Sequence, residues 1–169
     1  MSLSTTCNID ILYLLQNNVT ITDPAFKFFI ESLSPTNSSS APSCEEKSFS
    51  DCKYINYYSL GLSIMTKQDM KTIDTVFCYS EKDKTFKPYC GPLPLSLSLK
   101  ENNVQVLKRF NREPDAKGGG KYKSTPIWIE FAVKLESTCP KLLDITFNFT
   151  NSDWNDLENP IHFLTFFLK

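Results

Sequence analysis

Apolar side chains recur at every second position in Ile127-Trp128-Ile129-Glu130-Phe131, and again in Leu143-Asp144-Ile145-Thr146-Phe147-Asn148-Phe149. A period of two marks a strand with one buried side, because successive side chains of an extended chain point to opposite faces. The wider stretch from Leu99 to Phe149 reads as helix, glycine loop, strand, turn and strand, and a further strand, Ile161 to Leu168, follows the loop Thr150 to Pro160. In the helix, Val104, Leu107 and Phe110 are spaced along one apolar face with Val106 beside it, and Pro114 closes it. Lys117-Gly118-Gly119-Gly120-Lys121 reads as a flexible connection.

The front half reads as a looser copy. Ile9 to Leu15 is a short apolar run, compatible with a helical turn or a buried strand. Asp23 can cap a helix that begins at Pro24, and Phe26, Phe29, Ile30 and Leu33 follow at helical spacing until Pro35. Polar composition predicts a mobile loop over 34–48 and a frayed segment over 1–8. Strands are predicted at Tyr54 to Tyr58, Leu62 to Met65 and Ile73 to Tyr79, and Leu95 to Leu99 as an edge strand or an extended lead-in. The expected fold is α+β: two related α-β-β-β units with antiparallel sheets and helices packed on one face. Residues 1–22 form an N-terminal segment, 23–87 the first unit and 88–169 the second. One such unit has too little core, so the two pack together or share one sheet.

Charge and cysteine content narrow the function. Lys and Arg number 18 against 19 Asp and Glu, a net charge of −1, so no strong field recruits nucleic acid. The 169 residues suffice for a core that needs no disulfide. The start of the chain lacks the basic and apolar regions of a signal peptide, so the six cysteines are expected reduced, in the cytoplasm. With no C-x-x-C pair and His162 the single histidine, no metal or other cofactor is expected. Sequons at Asn18, Asn37 and Asn148 carry no meaning without a secretory route, and no apolar run reaches the length of a membrane span.

Val106-Leu107, Phe110, Pro114, Trp128, Phe131, Ile145 and Phe147 follow a helix, "W.Y/F" strand and "I.F" strand order. In this the second unit resembles the BamE (SmpA/OmlA) type of outer-membrane lipoprotein fold. The tandem arrangement, with Asn56-Tyr57-Tyr58-Ser59-Leu60-Gly61-Leu62-Ser63-Ile64 in the first unit, is similar to the eukaryotic phagosome assembly factor 1 family. Asn111 stands where a turn glycine is usual, and the lipid-anchored cysteine of the bacterial lipoproteins has no counterpart. The resemblance to the eukaryotic family implies an adaptor role in autophagy-type trafficking, with phosphoinositide binding.

Two clusters are candidate sites. Lys117, Gly118, Gly119, Gly120, Lys121 and Lys123 form a loop able to cradle an anion through backbone N–H groups and ammonium charge, though without Walker spacing. That loop is also the one route to a membrane, through a lipid headgroup. Trp154 with Asp153, Asp156 and Glu158 has the composition of a partner-binding loop, an aromatic anchor among acids. Trp128 and Glu130 share a strand face opposite Ile127, Ile129 and Phe131 and form a second exposed pair. No serine or cysteine sits in an elbow motif, and no carboxylate pair stands out. The sequence therefore points to a non-catalytic adaptor or scaffold with a protein partner. An inhibitor or immunity-type protein meeting a basic enzyme, a phosphoinositide-binding trafficking factor and a small enzyme are the alternatives.

Overall fold

Each helix start is written in capping chemistry. Asp10 accepts the Tyr13 amide at 2.8 Å and opens α1, Ile11–Gln16. Asp23 accepts the Ala25 amide at 2.8 Å ahead of Pro24 and opens α2, Pro24–Ser32, as the sequence predicts. Asn102 and Gln105 cap one another reciprocally at 3.0 and 2.9 Å and open α3, Asn103–Phe110. Asn111 ends α3 in the left-handed region with φ of 47°, a conformation that asparagine tolerates better than most residues and that a turn glycine would supply. The computed structural model describes residues 9–34, 41–135 and 140–169. The frayed segment 1–8, the helix stop at Pro35, the sequon at Asn37 and part of the serine-rich loop lie outside the described residues.

The strands are β1 Glu45–Ser48, β2 Lys53–Tyr57, β3 Leu62–Thr66, β4 Ile73–Tyr79, β5 Ala116–Gly120, β6 Thr125–Lys134, β7 Leu142–Phe149 and β8 Ile161–Leu168. They form one sheet of eight in the order β1-β2-β3-β4-β8-β7-β6-β5, and every neighbouring pair is antiparallel. Two strands depart from expectation. The glycine stretch is the edge strand β5 and not a loop, and part of the predicted loop 34–48 is the other edge strand, β1. Glu45 to Ser48 are all exposed, so β1 shows no apolar alternation by which to find it. Leu95 to Leu99 forms no strand; Pro94–Ser96 is a 3₁₀ turn.

Register places one face of the sheet in the core. Tyr57, Leu62, Cys78, Leu164, Phe147 and Ile129 lie side by side across six strands, and each is buried. All three helices lie on this face. Ile11 and Leu14 of α1 are fully buried where it packs on β4 and β8. The Phe26 ring of α2 meets Tyr57 edge-on at 6.4 Å. Phe110 of α3 stacks on Phe131 at 4.0 Å and touches Phe147 edge-on at 5.7 Å.

The apolar face assigned to α3 needs correcting. Val106 is fully buried, whereas Val104 and Leu107 are each 40% exposed. Asn103, Val106 and Phe110 fall one and two turns apart, so they make the inner stripe, and Asn103 is buried because its amide donates to the Asp156 carbonyl at 2.7 Å. Val106→Ala should therefore destabilise the protein by about 2 kcal/mol. Leu107→Ala should stay within roughly 0.5 kcal/mol of wild type in urea denaturation, and the reverse ranking would overturn this placement.

Candidate functional site

Two of the three glycines of β5, Gly118 and Gly120, are seats for tryptophans. Gly118 lies opposite Trp128 in the ladder, and a Cβ on it would stand 2.5 Å from Trp128 Cζ2. Gly119 has φ of +78°, and its Cβ would stand 2.0 Å from the Pro126 carbonyl oxygen. The register shifts between Gly118 and Gly120, so the left-handed glycine makes a bulge at the sheet's edge. A Cβ on Gly120 would stand 2.8 Å from Trp154 Nε1. The glycine stretch and the Trp154 loop, separate candidates in the sequence, thus meet at one end of the molecule.

Their junction is a cleft of about 490 Å³ between Gly119–Tyr122 and Ser152–Asn155. Trp154 is 42% exposed, and Tyr122 is as exposed as a tyrosine can be. Lys121 Nζ lies 2.8 Å from Asp153 Oδ2. That ammonium, followed by the Asn155 amide at 3.0 Å, holds the Asp153 carboxyl below its usual range. Lys117 pairs in register with Ile129, and Lys123 ends the 3₁₀ turn after β5.

Much of the acidic character of the Trp154 loop is spent inside it. Asp156 accepts the Asn151 side-chain amide at 2.7 Å and the Glu158 backbone amide at 3.0 Å. Fully buried Asn159 accepts the amides of Thr150 and Asn151 at 3.1 and 3.2 Å and donates back to the Asn151 carbonyl at 3.1 Å. Asn159 went unnoticed in the sequence, since a loop asparagine resembles any other. Asp153 and Asp156 are therefore loop-builders that hold Trp154 outward, while Glu158 stays exposed.

The sheet face without helices carries a row of aromatic rings. Phe49 meets Tyr54 at 5.7 Å, Tyr54 meets Phe77 at 6.0 Å, and Phe77 meets Phe163 at 6.4 Å. Phe163 reaches Tyr79 at 5.4 Å, Tyr79 stacks on Phe86 at 3.8 Å, and Phe86 meets Tyr58 at 4.6 Å. The ladder continues from Tyr79 and Phe163 through Asn148 to half-buried Trp128. These rings were missed as functional candidates, although Val76-Phe77-Cys78-Tyr79 carries a signal. A strand solvated on one side would put polar groups at alternate positions, and this one does not.

Glu130, Trp128's partner in the predicted pair, is committed to an internal interaction. It accepts Lys169 Nζ at 2.8 Å, and the same ammonium lies 3.0 Å from Asp144 Oδ2. Asp144 is fully buried on the open side of the sheet, and that burial pushes its carboxyl up despite Lys169.

His162 donates from Nε2 to the Asp83 carboxylate, 2.9 Å from Oδ2. Nearby Ser80 is buried and donates its hydroxyl to the Ile161 carbonyl at 2.7 Å. It therefore lacks the hydrogen bond to a base that activates a nucleophile. Burial alone would raise the Asp83 carboxyl, but the Phe86 and Thr85 amides, each at 2.7 Å, and the His162 ring hold it below its ordinary range.

Among the described residues, no three His, Cys, Asp or Glu side chains stand together as a metal site, and no helix is long and apolar enough to cross a membrane. Cys44, Cys52, Cys78 and Cys90 carry free thiols; Cys7 and Cys139 lie outside the described residues. No protein-family model matches this chain, and no solved structure matches it.

Two measurements check these assignments. Gly119→Ala should destabilise the fold by about 2 kcal/mol, through strain at positive φ and the clash with Pro126, and should perturb the Trp128 fluorescence. Asp83 has a depressed folded-state pKa, so its stabilisation is present above the unfolded value and lost as pH falls through the folded one. Asp83→Asn should cost roughly 2 kcal/mol at neutral pH, with the gap closing in thermal melts as pH falls below the ordinary carboxylate range. A gap that persists into acid would remove the carboxylate from that role.

Proposed function

We propose that the protein is a non-catalytic interaction module, an adaptor or scaffold that docks a protein partner across the helix-free face of its sheet. The observation that carries this is the aromatic row Phe49, Tyr54, Phe77, Phe163, Tyr79, Phe86 and Tyr58, on the side of the sheet opposite the three described helices. Contiguous apolar surface of this kind marks interaction sites on soluble proteins. Rigid rings contribute binding area at low entropic cost, which is why aromatics dominate interface hot spots. The near-neutral charge of the chain favours an apolar protein surface over nucleic acid.

The same proposal includes duplication. Leaving α1 to the N-terminal segment, residues 23–87 and 88–169 each run through one α-helix and four strands, one strand more than the expected α-β-β-β, and β4 and β8, the last of each set, meet at the centre of the sheet. That order is what two copies of one unit related by a local two-fold would give. With it goes the likeness to the tandem phagosome assembly factor 1 family, and an adaptor role in trafficking. The inhibitor reading draws less support, since the carboxylates of Asp153 and Asp156 are engaged within the protein.

Photo-crosslinking in the native cell tests the docking face. A photoreactive phenylalanine at Phe77 or Phe163 should yield adducts of one discrete mass, and the same group at exposed Lys84 should yield none. Phe163→Ser should then weaken the captured partner at least tenfold, or roughly 1.4 kcal/mol. Adducts from Lys84 alone, or unchanged affinity in a folded Phe163→Ser variant, would reject the face.

A further inference from the structure

We propose that the cleft between Trp154 and Tyr122 is a slot for an extended, proline-rich peptide segment. The slot lies on β5 and the β7–β8 loop, away from the aromatic row of β2, β4 and β8, and does not depend on it. Gly119 and Gly120 line the slot on one side, and Gly120 leaves the room in which the Trp154 indole sits. Its aromatic lining is the Trp154 indole and the Tyr122 phenol. Tyr122 buries nothing in the free protein, so its ring is available to be covered.

Polar groups decide the class of ligand. Neither the Trp154 indole N–H nor the Tyr122 hydroxyl bonds to any described residue, so both aromatic walls of the slot carry a donor without a protein acceptor. A polyproline II segment has the complementary need: its carbonyls make no internal hydrogen bonds, and its proline nitrogens carry no hydrogen to satisfy. Lys121 and Asp153 neutralise one another at 2.8 Å, so the slot selects neither an anion nor a cation. Asp153, the one carboxylate on the lining, is further tied to the Asn155 amide at 3.0 Å, so both its oxygens are engaged and it offers no open bidentate clamp for the paired hydroxyls of a sugar, the other ligand that stacks on indole. Proline rings pack on aromatic walls, and the segment is already extended before binding, so little entropy is lost. The volume, about 490 Å³, lies within the ordinary range of binding clefts.

The test uses the full chain, titrated by heteronuclear NMR with a blocked oligoproline of about ten residues. Saturable shifts are expected at the Gly119 and Gly120 amides and the Trp154 indole N–H, with Kd tighter than about 1 mM. Trp154→Phe keeps a ring but loses the donor, and it should weaken binding roughly tenfold, as should Tyr122→Ala. Both positions are exposed, and an unchanged backbone spectrum elsewhere verifies the fold. Phe163→Ser should bind the oligoproline like wild type, which separates this slot from the docking face. Absence of saturation by about 5 mM, affinity unchanged in both Trp154→Phe and Tyr122→Ala, equal binding of a Gly-Ser peptide of the same length, or tighter binding of cellohexaose would overturn the proposal.

Discussion

The pairing of β4 with β8 is the contact on which the rest of the molecule depends. Thr75 to Tyr79 face Phe167 to Phe163, joining two four-strand ribbons into one sheet. Neither ribbon could bury its share of the core alone, since α1 rests across both strands of this seam. The seam carries large apolar residues on both sides of the sheet, with Thr75 and Thr165 the polar members of its outward side. Val76 and Cys78 face the helices, while Phe77 and Tyr79 face outward, and β8 answers with Leu164 and Phe166 inward and Phe163 and Phe167 outward. Burying the Cys78 side chain completely raises its thiol pKa well above the ordinary value, so it serves as packing and not as a nucleophile.

The seam also determines where the functional surface lies. Helices cover one side of the central strands, and the other side carries rings that contact one another, half-buried except for exposed Phe49. Towards β6 and β7 the open side becomes polar, with Glu130, Asp144 and Lys169 bonded together and the Lys169 ammonium 5.4 Å above the Phe167 ring. The apolar area is thereby confined to the middle and the β2 side of the sheet, bounded at the β1 edge by the ion pair of Lys47 with Glu45 at 3.6 Å.

Six of the eight strands are legible in the sequence because their side chains alternate or run apolar, as in Ile127, Ile129 and Phe131, each almost wholly buried. The edge strands are not, because an edge with little to bury needs no such pattern. Ala116 to Gly120 looks like a loop, since its glycines answer a steric demand from Trp128 and Trp154, residues near and far along the chain. The face of α3 was misjudged for a related reason. Asn103 reads as a solvent residue until the Asp156 carbonyl that holds it is in view. In the Trp154 loop the residue types were right as a cluster, but which carboxylates remain free depends on donors that only the folded loop supplies.

The ends of the sheet have a consequence for assembly. At one end β1 presents Glu45, Glu46 and Lys47 in succession, and at the other the bulge at Gly119 twists the last strand out of plane. Charge and distortion are the devices by which natural sheets discourage an added strand. Growth by lateral stacking into fibres is therefore blocked at both margins, and a protein this rich in β-structure can keep a broad aromatic surface open without polymerising.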